Sequence, residues 1–395
     1  MTKLSSIADY VTDKISSNDI ALREYVTTDC ILQNKKGREI ATNLPPQSCC
    51  LTRYQHGDVL IANIRPYLKK VWFADIDGGA SSDVLVFRAK EGHSPSFLYA
   101  VLLQDSFFDY VMQGAKGSKM PRGDKEQILR YEMPTLSCSE ESIGTFFLNL
   151  DQKIRLNEQI NQNLEAMAKQ LYDYWFVQFD FPNEEGKPYK SSGGEMVWNE
   201  KLKRKIPNEW DNCKLKDFIN LFDSKRIPLS SKDREERKGN YPYYGATGIM
   251  DYVNEYIFDG DYILLAEDGS TSDSKGFPIV QYIWGKNWVN NHAHIILPKN
   301  EQYLMFTYQM LRSIPAKQIE TGSIQKKISQ ENLCEYNMVL PNSILIEKYE
   351  SIISPLWEKR KLCIEEINAL IKQRDELLPL LMNGQASVNS DLSHD

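Results

Sequence analysis

A long heptad repeat constrains the fold of this chain more than any other feature of its sequence. From Ile143 to Trp175, apolar residues and two asparagines recur at alternating spacings of four and three residues, and no proline interrupts them. So narrow a stripe is typical of a coiled-coil seam rather than of a helix in a globular core. The helix would be roughly 50 Å long and would need one long partner helix. The seam residues with an expected role in helix pairing are Ile154, Asn157, Asn161, Leu164, Leu171 and Trp175.

A second repeat near the C-terminus supplies that partner. The same alternating spacing runs from Ile353 to Leu381. Arg360 and Arg374 on this seam, like the asparagines on the first, weaken a zipper but can fix its register and direction. We therefore predict an antiparallel coiled coil within one chain, with two separate amphipathic helices as the alternative. The seam residues expected to pair here are Leu356, Ile367, Leu370 and Leu377.

The rest of the chain has the composition of globular domains. Its 395 residues suffice for two to three domains, and 26% charged and 11% aromatic residues are ordinary values. No run of about 18 apolar residues occurs, so no transmembrane helix is expected. The N-terminal residues lack the apolar stretch of a signal peptide. The seven cysteines are scattered without a CxxC, which suggests neither disulfides nor zinc and fits a reducing cytoplasm.

The charge distribution bears on the partners of the chain. The formal net charge of −7 argues against strong unaided binding to nucleic acid. The acidic excess lies mainly in the two helical segments, however, so the globular parts are close to neutral and can present local basic patches. A neutral module would bind DNA weakly alone, which points to a protein partner.

An internal repeat of about 205 residues organises the chain. GDVLI at Gly57–Ile61 recurs as GDYIL at Gly260–Leu264, and Gly117-Ser118 recurs as Gly322-Ser323. The two heptad segments follow the same offset, so the chain is predicted to alternate globule, rod, globule, rod. Short strands followed by a helix in each globule indicate α+β modules. The predicted limits are 1–140 for the first globule, 141–180 for the first long helix, 181–210 for a surface linker, 211–345 for the second globule, 346–383 for the second long helix and 384–395 for a disordered tail.

Basic loops are the candidate nucleic-acid contacts. In QGAKGSKMPRGDKEQILR, glycines would let the backbone approach a phosphate, and the cations could reach phosphates or guanine edges. The loop recurs in the second globule as TGSIQKKIS, and QNKKGRE is a second basic turn in the first. Solvated charged loops are the alternative. The candidate residues are Lys35, Lys36, Lys116, Lys119, Arg122, Lys125, Ser323, Lys326 and Lys327.

The second globule adds polar candidates on turns. Aromatic residues beside glycines in YPYYGATG, and small polar residues in LLAEDGSTSD, could contact bases or sugars, although β-hairpin turns look the same. The candidates are Lys225, Arg226, Tyr243, Tyr244, Ser270 and Thr271. His292 and His294 would face one side of a strand, and no further ligands suggest a metal, so this pair is interpreted as structural or DNA-facing.

Several motifs carry a resemblance to a known family. FDFPNEEGKPYKSSGGEMVWNEKLKRKIPNEW, after NQNLEAMAKQLYDYWF, resembles the central conserved region of specificity subunits of Type I restriction-modification systems. RDELLPLLMNGQ resembles the distal conserved region of the same family. GDVLIANIRPYLKKVWFAD and WVNNHAHIILP look like parts of two classes of target-recognition domain. The resemblance covers almost the whole chain.

That resemblance implies a fold and a set of partners. Each globule would be a target-recognition domain for half of a bipartite, asymmetric site in double-stranded DNA, and the helices would set the spacer. Two methyltransferase subunits would dock around the helices, and restriction subunits would join that core. Half-sites one turn apart lie about 34–36 Å from each other, which a rod of roughly 50 Å can span.

No chemistry of its own is expected of this chain. There is no glycine-rich loop for a methyl donor and no GxxxxGK[ST] for ATP, and NLPPQ only loosely resembles a methyltransferase motif. We expect a cytoplasmic, non-catalytic DNA-recognition subunit without cofactor or metal. A fused methyltransferase and a coiled-coil assembly adaptor without sequence-specific DNA binding are the alternatives.

Overall fold

The computed structural model describes residues 2–133, 139–322 and 326–388, which form two compact units. Unit 1 comprises Met1–Gln159 and Cys363–Asp395, and unit 2 comprises Ile160–Leu362. Each unit therefore contains a globular part together with part of each long helix. Because the units divide the chain in this way, the domain limits stated above remain a prediction. Of the predicted disordered tail, residues 389–395 lie outside the described residues.

Unit 1 contains short strands and short helices before the first long helix. Its strands are β1 (Thr2–Lys3), β2 (Ala8–Tyr10), β3 (Lys14–Ser16), β4 (Tyr25–Val26), β5 (Cys50–Tyr54), β6 (Val59–Ala62), β7 (Val71–Phe73), β8 (Gly78–Ala80), β9 (Val84–Ala89) and β10 (Glu132–Met133). Its helices are α1 (Leu4–Ile7), α2 (Pro95–Leu102), α3 (Asp105–Gln113), α4 (Lys125–Ile128) and α5 (Glu140–Tyr172), the last of which continues into unit 2.

The main sheet of unit 1 is antiparallel and buried on both faces. Its strand order is β2-β9-β6-β7. Val59 and Ile61 of β6 pack in the cluster that includes α2 and α5, whereas Leu60 packs with Trp72 on the other face. Successive side chains of a strand point to opposite faces, so the unbroken apolar run VLIA fits a strand covered on both sides. A second sheet, with the order β3-β5-β8-β4, completes the globular part.

Unit 2 has its own strands and helices. Its strands are β11 (Met196–Asn199), β12 (Arg204–Pro207), β13 (Asp211–Lys214), β14 (Ile219–Leu221), β15 (Lys238–Tyr244), β16 (Ile249–Val253), β17 (Phe258–Asp259), β18 (Tyr262–Ala266), β19 (Val280–Ile283), β20 (Lys286–Val289), β21 (Ala293–Pro298), β22 (Glu320–Thr321), β23 (Lys327–Ile328) and β24 (Asn337–Leu340). Its helices are α6 (Leu215–Phe218), α7 (Ser231–Glu236), α8 (Leu304–Ser313), α9 (Gln330–Glu335) and α10 (Ser343–Met382), the last of which continues into unit 1.

The internal repeat is confirmed in the topology of the two units. The main sheet of unit 2 has the order β14-β21-β18-β19, which matches β2-β9-β6-β7 strand for strand. In unit 1, β1 pairs with β10 just before a long helix, and in unit 2, β13 pairs with β24 just before the other. Each unit is thus an α+β module built to one plan, as the fold class expected from the sequence requires.

Both long helices are present, and their segments run antiparallel within each unit. In unit 1, Asp151 of α5 pairs with Arg374 of α10 (Oδ1–Nη1 3.6 Å), and Asn157 donates to Glu366 (2.8 Å). In unit 2, Glu165 pairs with Arg360 (3.2 Å). Further along α5, the Tyr172 and Tyr349 rings lie 6.1 Å apart. Residue numbers rise along one helix as they fall along the other, which defines an antiparallel pair.

The segment predicted to be a surface linker, 181–210, is folded. β11 and β12 form an antiparallel hairpin, and Phe181 stacks on Trp210 with ring centroids 5.1 Å apart. Ile206 and Trp210 are buried in the main core of unit 2. The Pro, Gly, Ser and Lys content that suggested a linker belongs to its turns, whereas its aromatic residues anchor it.

None of the helices among the described residues is long and apolar enough to cross a membrane.

Candidate nucleic-acid interface

In unit 1, the loop that follows β6 contacts the basic loop identified from the sequence. Ile64, just after β6, forms an isolated antiparallel bridge with Arg122. Next to it, the Arg65 backbone N–H donates to the Pro121 carbonyl (2.8 Å). Lys116 bridges Arg122 within the basic loop itself, where Gly117 has a φ of +100°. Glycine adopts that backbone without strain, which explains the residue at this turn.

A third loop, the QNKKGRE turn, joins the same surface. The Asn34 N–H donates to the Leu68 carbonyl (2.9 Å), and the Lys35 N–H donates to the Lys69 carbonyl (3.0 Å). The two basic turns predicted separately are therefore brought together through the intervening loop at residues 64–69. We call loops 31–38, 64–69 and 116–122 the unit 1 loop surface.

Lys35 holds this surface together and is not available to a phosphate. Its ammonium group is buried and pairs with Asp105 (2.8 Å) and Asp375 (3.5 Å), while Lys69 also pairs with Asp105 (2.8 Å). Burial opposes the ionisation of Asp105, but the hydrogen bonds and charges of the two lysines outweigh it and lower the pKa of Asp105. The prediction that Lys35 contacts DNA therefore does not fit the structure, whereas its neighbour Lys36 is exposed.

Unit 2 repeats the bridged loop pair. Asp268, just after β18, forms an isolated antiparallel bridge with Lys327 of the second basic loop, matching the bridge between Ile64 and Arg122. Gly322 has a φ of +87°, like Gly117. Ser270 is exposed on the adjacent turn. Ser323 lies outside the described residues. We call the loop following β18 (267–271) together with 326–328 the unit 2 loop surface.

A cluster of ion pairs lies beneath the unit 2 loop surface. Asp223, Glu267 and His294 bring potential metal-ligand atoms within 4.8 Å of one another. His294 is fully buried, with Nδ1 2.5 Å from Asp223 and Nε2 2.8 Å from the Ile328 carbonyl. Glu267 pairs with Arg226 (2.8 Å) and with Lys327 (3.1 Å). Cations of the protein thus already neutralise these carboxylates, and the cluster serves to hold the loop.

The same cluster explains the pKa of its acids and corrects one prediction. Burial opposes the ionisation of Glu267, but hydrogen bonds from Arg226 and Lys327 outweigh it and lower its pKa. The guanidinium of Arg226 also donates to the Ala293 carbonyl (2.8 Å) and is only 12% exposed. Arg226 therefore supports the fold from inside, although the sequence suggested a phosphate contact. His292, by contrast, is about half exposed and pairs with Asp268 (2.6 Å).

Two further candidates in unit 2 are buried. Tyr243 is 1% exposed, and its hydroxyl accepts a hydrogen bond from the Leu229 N–H (3.0 Å). Thr271 is also 1% exposed and donates to Glu320 (2.6 Å). Neither side chain can reach DNA without local unfolding, because tertiary packing that the sequence pattern does not reveal covers both. Tyr244 is partly buried, and burial raises its pKa to about 12.

The remaining candidate cations differ in how they are paired. Lys116 pairs with Asp124 (3.2 Å), Arg122 with Asp83 (3.1 Å) and Lys326 with Glu320 (3.0 Å). Within the described part of the chain, no ion pair engages Lys36, Lys119, Lys125 or Lys225, all of which are exposed. Lys225 lies over the Phe222 ring at 5.0 Å. These lysines can bind a phosphate without first breaking an ion pair, so their desolvation costs less than that of the paired cations.

Sequence reasoning missed two residues of the unit 1 loop surface. Arg65 and Tyr67 occur in the segment NIRPYLKK, and both are exposed in the structure. Arg65 has a φ of +53°, which is uncommon for a residue with a side chain. No local pattern reveals that conformation, although an Arg-Pro pair after a buried strand indicates a turn there.

The residues predicted from the sequence to pair the long helices differ in their burial. Ile154, Asn157, Trp175 and Leu370 are buried, and the other residues predicted for pairing are half-buried. Those half-buried residues are Asn161, Leu164, Leu171, Leu356, Ile367 and Leu377. Outside the seam, large apolar side chains remain exposed on both helices: Leu156 (56%), Met167 (52%) and Leu362 (60%). These exposed side chains are candidates for contacts with partner proteins.

Comparisons with known proteins agree with this arrangement. A family model described as Type I restriction modification DNA specificity domain matches residues 207–367. The Type I restriction enzyme MjaIX specificity subunit of Methanocaldococcus jannaschii is 23% identical over 398 residues, covering 95% of this chain and 86% of that protein. The HindI specificity subunit of Haemophilus influenzae is 22% identical, covering 91% and 94%. The crystal structure of a Type-I restriction-modification system S subunit from M. genitalium superposes with a TM-score of 0.60 at 16% identity, covering 96% and 95%, and supports the fold.

Proposed function

Because this chain belongs to the family of Type I restriction-modification specificity subunits, we propose that each of its units binds one half of a bipartite DNA site. The observation that carries the proposal is the bridged loop pair present in both units, between Ile64 and Arg122 and between Asp268 and Lys327. One plan used twice gives two readers in one chain. Each loop surface projects cations from a rigid sheet, as base and phosphate recognition requires.

The two half-sites should differ in sequence. The unit 1 loop surface carries Arg65, Lys119 and Arg122, whereas the unit 2 loop surface carries Ser270, Lys326 and Lys327. Different donors on a common plan recognise different base edges. The whole site would therefore be asymmetric, unlike the palindrome bound by a homodimer of identical readers.

The long helices would set the spacer and dock the catalytic partners. Helices of 33 and 40 residues are long enough to determine the distance between two half-sites. We assign to their exposed apolar side chains the binding of two methyltransferase subunits, which restriction subunits would then join. Methyl transfer and cleavage would be carried out by these partners, so the methyl donor and ATP would be used by them. A complex that modifies chromosomal DNA would work in the cytoplasm.

Genome-wide methylation mapping tests this function. Cells that express the chain with the methyltransferase of its own system would be compared with cells that express that methyltransferase alone. We expect one split, asymmetric motif that disappears without the chain. The absence of any chain-dependent motif, together with no sequence preference of the purified complex for double-stranded DNA, would favour an assembly adaptor instead.

Charge reversal at the loops gives a sharper version of the same test. Lys119→Glu in unit 1 should weaken binding to DNA. It should also reduce the magnitude of the slope of log K against log salt concentration by about one, because about one fewer counterion is released on binding. Lys372→Glu provides the control, because this exposed lysine lies on α10, outside the loop surface, and pairs with Glu376 of the same helix. Equal loss of DNA binding in both variants would contradict the assignment of the loop surface.

A further inference from the structure

We propose that Arg65 recognises a guanine in the half-site bound by unit 1, an inference that rests on the proposed function. Arg65 stands at the middle of the unit 1 loop surface, where its backbone N–H donates to Pro121 of the basic loop (2.8 Å). The sequence pattern gave it no role. Its backbone, its side chain and its neighbours each point to direct contact with a base.

The backbone of Arg65 is held in a conformation that glycine would favour. Its φ and ψ are +53° and +62°, at the start of the short turn Pro66–Leu68. For a residue with a Cβ, this left-handed region is strained, and such strain persists only where the surrounding structure imposes it. The bond to Pro121 and the bond from the Leu68 N–H to the Arg65 carbonyl (2.9 Å) impose it here.

The side chain of Arg65 is exposed, and its guanidinium has no partner among the described residues. No hydrogen bond, ion pair or ring contact joins its guanidinium to any residue in the ranges that the structure describes. The cations around it differ in this respect: Lys69 pairs with Asp105, and Arg122 pairs with Asp83. A fixed backbone that projects a free guanidinium is a preorganised donor, because less ordering is needed when a ligand binds.

The neighbours of Arg65 make a mixed surface suited to a DNA groove. Tyr67 and Met120 are each about half exposed, and Lys119 is exposed without an ion pair among the described residues. Lysine provides a point charge for phosphates, whereas the planar fork of arginine matches the O6 and N7 acceptors of guanine in the major groove. We therefore assign base recognition to Arg65 and backbone contact to Lys119.

Arg65→Gly separates recognition from folding. Glycine relieves the backbone strain, so the variant should fold with an unchanged or higher melting temperature while it loses the guanidinium. Lys203→Gly is the matched control, because Lys203 is an exposed cation with a φ of +52° in the β11–β12 hairpin, where it pairs with Glu200. Arg65→Lys keeps the charge and removes the fork.

The experiment uses the full chain in complex with its own methyltransferase subunits, first by methylation mapping and then by titration with duplexes carrying each single-base change. At one guanine of one half-site, Arg65→Gly and Arg65→Lys should lose about 5- to 150-fold of discrimination. The other half-site should be unchanged, and Lys203→Gly should behave like the native chain.

Three results would overturn the proposal. A uniform loss of affinity that Arg65→Lys restores would assign Arg65 to a phosphate. A native motif left unchanged by Arg65→Gly would remove Arg65 from the interface while the proposed function stands. Absence of any bipartite motif with the native chain would overturn both the inference and the proposed function.

Discussion

The carboxyl group of Glu350 is buried against the start of helix α8. It accepts hydrogen bonds from the Phe306 N–H (2.7 Å) and from the Ser354 hydroxyl (3.2 Å). Burial is the main cause that raises its pKa to about 7, and these hydrogen bonds only partly offset it. The folded state therefore prefers the neutral acid, and ionisation of this group is a cost that the fold carries at alkaline pH.

Glu350→Gln should stabilise the chain at high pH. Between about pH 4.5 and 7, the unfolded chain releases the proton while the folded chain keeps it, so the free energy of unfolding falls as pH rises through this window. At pH 8 the variant should gain about 1–3 kcal/mol in urea denaturation, and at about pH 4.5 close to nothing. Glu347→Gln, on the exposed face of helix α10, is the control. An equal gain at both pH values would refute this account.

Lys35 and Lys36 make a natural pair of neighbours for separating stability from binding. Lys35 is buried against Asp105 and Asp375, whereas Lys36 is exposed. Lys35→Ala should lower the free energy of unfolding by about 1–2 kcal/mol, a value reduced from that of a fully buried pair because both acids are partly exposed. Lys36→Ala should change stability by less than about 0.5 kcal/mol. Calorimetry of both variants measures these changes. A larger loss of stability in Lys36→Ala than in Lys35→Ala would contradict the structure.

At the scale of single elements, the sequence reveals local periodicity but not tertiary contacts. The heptad seams are visible along the chain because the 3.5-residue repeat is a local property. The structure half-buries Leu164 and Leu171 of that seam. The burial of Arg226, Tyr243 and Thr271 depends on partners far away in sequence, such as Glu320 for Thr271. No spacing rule reveals such partners, so these three residues, predicted to contact DNA, proved to be buried or nearly so.

Gly144 tests the packing of helix α5. Alanine usually stabilises a helix by about 1 kcal/mol relative to glycine. Here, however, a Cβ on residue 144 would lie 2.3 Å from the Phe97 backbone nitrogen of α2. Gly144→Ala should therefore destabilise the chain by about 1–3 kcal/mol despite its better helix propensity. Asn149→Ala, at an exposed position of the same helix, measures the effect of helix propensity alone. Similar changes in the free energy of unfolding for both variants would show that the contact with Phe97 does not affect stability.

The helix seam also makes a prediction about assembly. Leu164→Asp with Leu171→Asp places two charges in the seam, which should separate the helices and abolish association with methyltransferase subunits. Size-exclusion chromatography of the co-expressed complex measures this. Asn163→Asp is the matched control, because it adds a charge to the exposed face of the same helix, next to Leu164. Intact assembly in the double variant would refute the role of the helix pair.

For the whole molecule, the repeated plan implies that recognition is modular. Unit 1 and unit 2 have separate cores and separate loop surfaces. Replacing residues 2–133 with those of a relative, while retaining the helices, should change one half-site and leave the other and the spacer unchanged. Methylation mapping of the hybrid provides the measurement. A change in both half-sites would show that the units do not act separately.

The repeat and the fold class could be predicted from the sequence, whereas the loop surfaces could be predicted only in part. Offsets such as Gly117 to Gly322 are visible in the letters, and both glycines adopt positive φ. The meeting of the turn at Asn34 with that at Leu68 depends on tertiary backbone hydrogen bonds. Sequence therefore identified two basic turns but not the loop between them, and it missed Arg65.

The division of the chain into units also determines the order in which it can fold on the ribosome. The core of unit 2 uses residues from Ala168 to Trp357, whereas the core of unit 1 combines Leu4 with Leu381 and Met382. The half that is synthesised first completes this core only when Leu378, Leu381 and Met382 have been made. At about 5–20 residues per second, its apolar surface stays incomplete for roughly 10–45 s while unit 2 is made. We therefore expect the nascent N-terminal half to expose, for that time, the apolar surface that these C-terminal side chains cover.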